Sequence, residues 1–575
     1  MLRFGTASLL APLMLTMTGG CATLPITEGG GRDATVQPAP QKGMVSAADP
    51  RAAEAGAEIL RQGGNATDAA IAVLLALNVV EPQSSGIGGG GFLLLRDDGV
   101  LTSFDGRETA PAAATGDWFM RDGRPISFAE ARPGGLSTGV PGNVAMMALA
   151  HAEHGRLPWR ALFGPAIRLA RDGFTVTQRL HDTLASAPDI AGLSPEGRAL
   201  FFGADGAPVP VGTTLRNPAF ARFLTRVADE GANAFYTGEN ARAIVEAVRT
   251  APRNPAAMTL ADMAGYRAVE RPAVCGDYRA YEICGMGPPS SGATTVYAIV
   301  KQLEDFDMAA LGADDPQSWH LIADSMRLAY ADRGAYVADG DVVSVPLRGL
   351  MDTDYLADRG AMLSASTALD TAEPGNPPGS VAIGPAGMHG AEHGTSHFVV
   401  VDGEGGVASL TSTVESAFGS GLFVNGYFLN NELTDFSFVP VENGRPVANA
   451  VGPGKRPRSS MSPSIVMGPS GDFRLAIGAA GGSTIIAQTA KTIIAVIDWN
   501  MDVADAIALP VIYAPGDTVL VEQGTALADM AAALTAIGHD VRVWQGRFKA
   551  NGIERAGDIL RGGADPRSEG AVAAQ

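Results

Sequence analysis

The chain has 575 residues, 46% of them hydrophobic, enough to bury one large core or several small ones. A formal net charge of -19 and a pI near 4.9 run against a phosphate-tracking surface, which needs clustered Lys and Arg, and no nucleic-acid partner is expected. Length alone does not settle the number of domains.

Residues 1–20 carry one positive charge at Arg3, an apolar run from Leu9 to Met17, and Gly19 and Gly20 just before Cys21, which together predict a secretory signal peptide. A Cys directly after small residues also fits a bacterial lipoprotein processing site with a lipidated Cys21 thiol, although Thr18 stands where that pattern usually has Leu. In the plainer reading Cys21 is incidental to a signal cleaved nearby. No other stretch approaches the roughly 20 apolar residues of a membrane span. The expectation is an exported, periplasmic protein, soluble or held to a membrane by a lipid tether.

Residues 21–43, rich in Gly, Pro and Gln, predict a flexible linker, and order is expected from about Met44. Asp49-Pro50 supplies a capping carboxylate and a preset first φ for a helix that Gly63-Gly64 ends. Asn65 caps the next, and Ala66 to Val80 is apolar on nearly every side, a core helix. Gly86 to Gly91 is a glycine-rich turn leading into a β-hairpin, Phe92 to Arg96 and Leu101 to Phe104 about Asp97-Asp98-Gly99. Residues 140–345 read as mostly helical, most clearly from Trp319 to Tyr330. Cys275 and Cys284 fall on what look like neighbouring strands, and either a disulfide or two reduced, buried thiols fits them.

Pro and Gly clusters at 372–394 predict a long loop, unusual in a compact domain unless it has a task. Beyond it the pattern turns to β. His397 to Val401 and Val407 to Thr413 form one predicted hairpin, Ser464 to Met467 and Phe473 to Ile477 another, and a helix follows from Ser483 to Ile497. These proportions predict an α+β class, sheets covered by helices in a layered αββα arrangement. No internal repeat is evident.

The junction Gly394-Thr395 joins that loop to the first residue of an apolar strand. Alone, a Thr opening a strand is ordinary β-propensity. Its company changes the reading. Thr395-Ser396-His397, Thr411-Ser412-Thr413, Phe418-Gly419, Asn430-Asn431-Glu432, Asp435-Phe436-Ser437, Lys455-Arg456-Pro457, Ser459-Ser460-Met461-Ser462-Pro463 and Gly481-Gly482-Ser483 follow in order along the second part of the chain. Gly63-Gly64-Asn65-Ala66, Ser84-Ser85-Gly86-Ile87-Gly88-Gly89-Gly90, Arg107-Glu108 and Pro288-Pro289-Ser290-Ser291-Gly292 precede them. In order and spacing this set resembles the γ-glutamyltransferase family, across roughly Met44 to Gly570.

The resemblance implies an N-terminal-nucleophile (Ntn) hydrolase fold, a four-layer αββα sandwich built jointly by a large subunit (44–394) and a small subunit (395–575) after the precursor cuts itself between Gly394 and Thr395. Physically, Gly tolerates a strained scissile peptide, and cleavage frees an α-amine whose ordinary pKa of about 7.7–8 suits a general base for the Thr395 hydroxyl. By the same resemblance Thr413 orients that hydroxyl, and the N–H groups of Gly481 and Gly482 form the oxyanion hole. Ala480 replaces the Pro of many relatives, a change that removes no donor. Arg107 is matched to the substrate α-carboxylate, assisted by Ser459 and Ser460, and Glu432 and Asp435 to the α-ammonium. Glu415 stands where many relatives have Asn, placing a third carboxylate near the ammonium. Phe438 to Arg458 corresponds to the family's lid, and its Gly, Pro and Asn content fits a mobile cover.

No organic cofactor is implied, and His389, His393 and His397 form no recognisable metal-ligand set. The expected activity is transfer of the γ-glutamyl group of glutathione or related compounds to water or an amino-acid acceptor, with the two subunits as a heterodimer. Two alternatives are a glutaryl (cephalosporin-type) acylase on the same scaffold and an exported peptide-binding protein that never matures.

Overall fold

The computed structural model describes residues 43–381 and 394–575. Residues 1–42, with the predicted signal, the linker and Cys21, and residues 382–393, with His389 and His393, lie outside the described part. In chain order the principal strands are β1 (Met44–Ala47), β2 (Gly90–Asp97), β3 (Val100–Asp105), β4 (Val269–Pro272), β5 (Val274–Tyr278) and β6 (Tyr281–Gly285). Past the long loop come β7 (Gly394–Val401), β8 (Val407–Glu415), β9 (Ser464–Met467), β10 (Phe473–Ala480), β11 (Lys549–Ala556), β12 (Ile559–Ala564) and β13 (Ala571–Ala574). The principal helices are α1 (Pro50–Arg61), α2 (Ala66–Val80), α3 (Gly292–Lys301), α4 (Pro316–Tyr336) and α5 (Thr484–Ile497).

The strands form two antiparallel sheets, one of seven in the order β13-β1-β7-β8-β2-β3-β4 and one of six in the order β12-β11-β10-β9-β6-β5. β7 shows why its sequence is apolar without alternation. Phe398 and Val400 join the core beneath α1 and α2, and Val399 and Val401 fill the space between the sheets with Ile465 and Ala476. A strand covered on both faces has no polar side to display. A third core packs α3, α4 and α5 on the second sheet through Ile299, Ile322, Ile486 and Leu475. The result is the αββα sandwich expected.

Local chemistry sets the element ends as anticipated. The Asp49 carboxylate accepts from the Arg51 N–H at 2.8 Å and Pro50 opens α1, and Asn65 and Asp68 cap α2 reciprocally. All fifteen residues of α2 are buried. The glycine run before β2 allows close approach: a Cβ on Gly89 would sit 2.0 Å from the Thr413 carbonyl oxygen.

Two stretches differ from the sequence expectation. The mostly helical middle section also contributes β4, β5 and β6, with β4 and β5 in different sheets although only Ala273 separates them. Three C-terminal strands, unanticipated, complete the sandwich, and β13 pairs with β1 at the edge of the first sheet. Cys275 and Cys284 face each other across β5 and β6 and are joined as a disulfide.

Candidate active site

β7 begins at Gly394 with a shift of register between Gly394 and Thr395, and Thr395 then lies directly opposite Thr413 on β8. The side chains opposite one another share a face, which brings the two hydroxyl oxygens to 3.0 Å. The Thr413 hydroxyl also donates to the Gly394 carbonyl oxygen at 2.6 Å and accepts from the Glu415 N–H at 2.8 Å. A hydroxyl has one proton to give. With that proton on the Gly394 carbonyl, the Thr395 O–H must be the donor to Thr413, so a directed chain runs from Thr395 through Thr413 to the carbonyl just before Thr395. Gly394 is required here by space: a Cβ would fall 2.5 Å from the Ser416 backbone.

Gly481 and Gly482 follow β10 with φ of 125° and 62°, conformations that favour glycine. Among the described residues neither N–H donates to another group. Two contacts set this turn at the Thr395 end of the sandwich. Gly478 lies against the His397 ring, where a Cβ would come within 2.4 Å of it, and Lys549, paired with Ala480, donates to Ser396 Oγ at 3.1 Å.

Around Arg107 the structure gathers the predicted recognition residues, though in contact with one another. One Arg107 nitrogen donates to Glu432 and another to Asp435, and the guanidinium also meets the carbonyls of Pro457 at 3.1 Å and Arg458 at 3.0 Å. Burial works against this charge, but Glu432 and Asp435 outweigh it and hold the guanidinium above its ordinary pKa. Burial pushes the Glu415 carboxyl up to about 8, with Asp435 adding to the rise, although Ser416 Oγ donates to it at 2.5 Å and Asn431 donates as well. Burial also raises Glu108 to about 8 and Glu432 well above the usual carboxylate range. Three buried carboxyl groups, Glu108, Glu432 and Asp435, thus crowd the Arg107 guanidinium, and Glu415 lies on the far side of Asp435, drawn to Arg132; Glu415 Oε1, Glu432 Oε2 and both Glu108 oxygens are unpaired among the described residues.

Ser460 Oγ accepts from Arg333 at 2.7 Å, and the Ser459 carbonyl accepts from Ser291 Oγ at 2.7 Å, so both serines are tied to the α3–α4 side of the fold. His397 is fully buried; burial alone holds its ring down to about 3, and Nδ1 meets Thr411 Oγ1 at 2.8 Å. It stays neutral and serves the packing between sheets.

The gamma-glutamyltranspeptidase family model matches residues 52–575. The chain belongs to that family. The glutathione hydrolase proenzyme of Escherichia coli (strain K12) is 35% identical over 98% of this chain and 97% of its own length. Its counterpart from Bacillus subtilis (strain 168) is 34% identical over 92% of this chain and 91% of its own. The crystal structure of cephalosporin acylase from Bacillus halodurans aligns with a TM-score of 0.82 at 28% identity, covering 93% of this chain and 96% of that one. The protein is therefore an enzyme of the γ-glutamyltranspeptidase family with the Ntn-hydrolase sandwich.

Some participants in this γ-glutamyltranspeptidase site escaped the sequence reading. Glu108 adjoins Arg107 in its motif but drew no role, and Arg333 gave no local sign. Behind Thr395, Lys549 donates to Glu81 at 2.8 Å while Ser396 Oγ donates to Glu81 at 2.6 Å, a buried trio drawn from three distant segments. The segment expected as a lid is folded down: Phe438 stacks on Phe119 at 4.2 Å, and Lys455 Nζ donates to the carbonyls of Ala448 and Ala450.

Proposed function

We propose that this enzyme is a self-processing γ-glutamyl hydrolase and transferase whose nucleophile is Thr395. The observation that carries the proposal is the hydroxyl chain from Thr395 through Thr413 to the Gly394 carbonyl. In maturation, Thr395 Oγ attacks the Gly394 carbonyl carbon, its proton passes to Thr413, and the Thr413 proton goes to the carbonyl oxygen. Collapse breaks the C–N bond, the nitrogen takes up a proton, and an ester on Thr395 remains. Water hydrolyses that ester, leaving a Gly394 carboxylate and a free Thr395 α-amine.

In turnover the freed amine, neutral in part near pH 8, takes the Thr395 proton as Oγ attacks the γ-amide of the substrate. The N–H groups of Gly481 and Gly482 hold the oxyanion, the amine product leaves with the proton, and water or an amino acid releases the γ-glutamyl group. For the substrate head group, Arg107 takes the α-carboxylate with help from Ser459 and Ser460. Glu415, Glu432 and Asp435 take the α-ammonium.

The excess of carboxyl groups over guanidinium favours a substrate that brings a positive charge, such as glutathione or a related γ-glutamyl compound. A glutaryl side chain, the substrate of the acylase alternative, has no amine and would leave that cluster unmatched. The N-terminal segment supports export, with Cys21 as the site of a lipid tether. Mass spectrometry with N-terminal sequencing tests the first step: a fragment beginning at Thr395 is expected from the wild type and absent from Thr395→Ala. A wild-type chain that stays whole would overturn the proposal. Maturation together with preference for glutaryl over γ-glutamyl amides would transfer it to the acylase reading.

A further inference from the structure

Two fully buried histidines and an aspartate lie together outside the site around Thr395. His320 and Asp324 stand one turn apart on α4, and His539 follows Gly538 just before the strand Asp540–Trp544. One ligand atom from each can be chosen so that all three lie within 4.8 Å of one another. We propose that His320, Asp324 and His539 form a binding site for a divalent transition metal, with zinc(II) as the ion of matching chemistry. Two imidazoles and a carboxylate are ligands that zinc takes, and His and Asp at i and i+4 on one helix point to the same side.

The hydrogen bonds around the trio prepare it for a cation. His320 Nε2 lies 2.7 Å from the Ser364 carbonyl, which can only accept, so Nε2 carries the proton and the Nδ1 lone pair faces inward. A backbone carbonyl on the outer nitrogen is the arrangement that orients metal-binding imidazoles. His539 Nε2 lies 2.7 Å from that Nδ1 and donates to it. The other His539 nitrogen, Nδ1, then bears a bare lone pair 3.9 Å from Asp324 Oδ1, with no hydrogen-bond partner among the described residues. The pocket therefore holds an unpartnered imidazole nitrogen beside a carboxylate and a second imidazole.

Asp324 is oriented from behind as a metal carboxylate would be. The Leu369 N–H donates to Oδ2 at 2.9 Å and Arg327 donates to Oδ1 at 2.8 Å. Arg327 is the cation already near the cluster, and it is shared with Asp517 at 3.0 Å and the Leu369 carbonyl at 2.7 Å. His320 Nδ1 and Asp324 Oδ2 are 3.8 Å apart. Ligands bonded at about 2.0–2.1 Å to a tetrahedral ion lie roughly 3.3–3.4 Å from one another, so loading through the two Nδ1 atoms needs the carboxylate to approach each by about half an ångström and the hydrogen bond from His539 Nε2 to His320 Nδ1 to give way. Because His320 and Asp324 precede Gly394 and His539 follows it, the ion would also join the two pieces produced by the proposed cut.

The test is zinc content by inductively coupled plasma mass spectrometry after the matured protein is stripped with chelator, reloaded with zinc sulfate and dialysed. Cobalt(II) in place of zinc gives a second readout through visible bands of tetrahedral intensity. About one zinc per protein and those bands are expected in the wild type, with retention reduced roughly tenfold or more in both His539→Gln and Asp324→Asn. Glu415→Gln, which alters the acidic cluster by Arg107, should keep its zinc. Should His539→Gln fail to fold, Asp324→Asn and the wild-type cobalt spectrum still decide. A wild type that retains neither metal, or variants that retain zinc as the wild type does, overturns the proposal and leaves a hydrogen-bonded histidine pair.

Discussion

Replacing Thr413 with Val keeps the shape of the side chain and removes its hydroxyl, and with it three contacts: the 3.0 Å bond from Thr395, the 2.6 Å bond to the Gly394 carbonyl and the 2.8 Å bond from the Glu415 N–H. In the proposed cut the second bond matters for rate, because that carbonyl oxygen would gain charge as Thr395 attacks. Loss of one preorganised oxyanion donor costs about 2.7–4 kcal/mol, a factor of roughly 10² to 10³. The third bears on stability. An unpartnered, buried N–H costs about 1–3 kcal/mol, which a native state worth roughly 5–15 kcal/mol survives. Folded Thr413→Val precursor should therefore accumulate and convert roughly 100- to 1000-fold more slowly, followed by intact mass against time, while Thr413→Ser, which restores the hydroxyl, converts much faster than Thr413→Val. If Thr413→Val converts within about threefold of the wild type, or the two variants are equally slow, the proton route through Thr413 is wrong.

At Gly394, alanine brings a methyl group 2.5 Å from the Ser416 backbone, so Gly394→Ala should yield uncut chain with a displaced start of β7; normal production of a Thr395 terminus would show that the position tolerates a side chain. Glu415→Gln should lower the ratio of γ-glutamyl to glutaryl turnover roughly tenfold, the equivalent of about 1.4 kcal/mol of attraction for the substrate ammonium, and an unchanged ratio would remove Glu415 from specificity. The raised Glu415 and Glu108 carboxyls also set a pH dependence. A carboxyl whose folded value lies near 8 and whose unfolded value lies near 4.5 binds more protons when folded, so its contribution is full below about 4.5 and is lost as pH rises toward 8. Between pH 5 and 6.5, below the lowered values of Lys491, about 7, and Lys549, about 8, the carboxyls pull the melting temperature down with rising pH while the lowered His397 and His539 pull it up, so the test is the difference between proteins: Glu415→Gln should lose part of the downward slope, and an identical slope in the variant would place the protons elsewhere.

What was legible in the sequence is what is local in the fold. Asp49-Pro50 and Asn65 read as helix starts because a cap and its partner lie within a few residues. The hairpin after Gly394 was legible from its apolar runs and turn, whereas the pairing of Thr395 with Thr413, 18 residues apart, came from the family resemblance. The C-terminal strands were not, since Lys549, Asn551 and Glu554 make β11 look like a solvated segment. Their polar groups are buried against distant partners instead: Glu81 for Lys549, Ser46 for Asn551 at 3.0 Å, Arg474 for Glu554. The pairing of His320 with His539 spans 219 residues and left no pattern to find, and the contacts of Arg107 with Glu432 and Asp435 span more than 300.

That division between near and far contacts bears on how one chain would make the proposed cut and keep a working site. The hydroxyl chain of Thr395 and Thr413 is complete within β7 and β8, so the proposed cut would need little beyond a hairpin and Gly394. The proposed recognition site is different: Arg107 comes from before Gly394, and Glu432 and Asp435 from after it. The strand order supplies the bond between the two pieces. β7 and β8 are neighbours, flanked by β1 on one side and β2 on the other, both from before Gly394. The proposed opening of the peptide at Gly394 would leave both hydrogen-bonded borders intact and the core between the sheets undisturbed, so the Thr395 amine would be freed inside a site that has no reason to come apart.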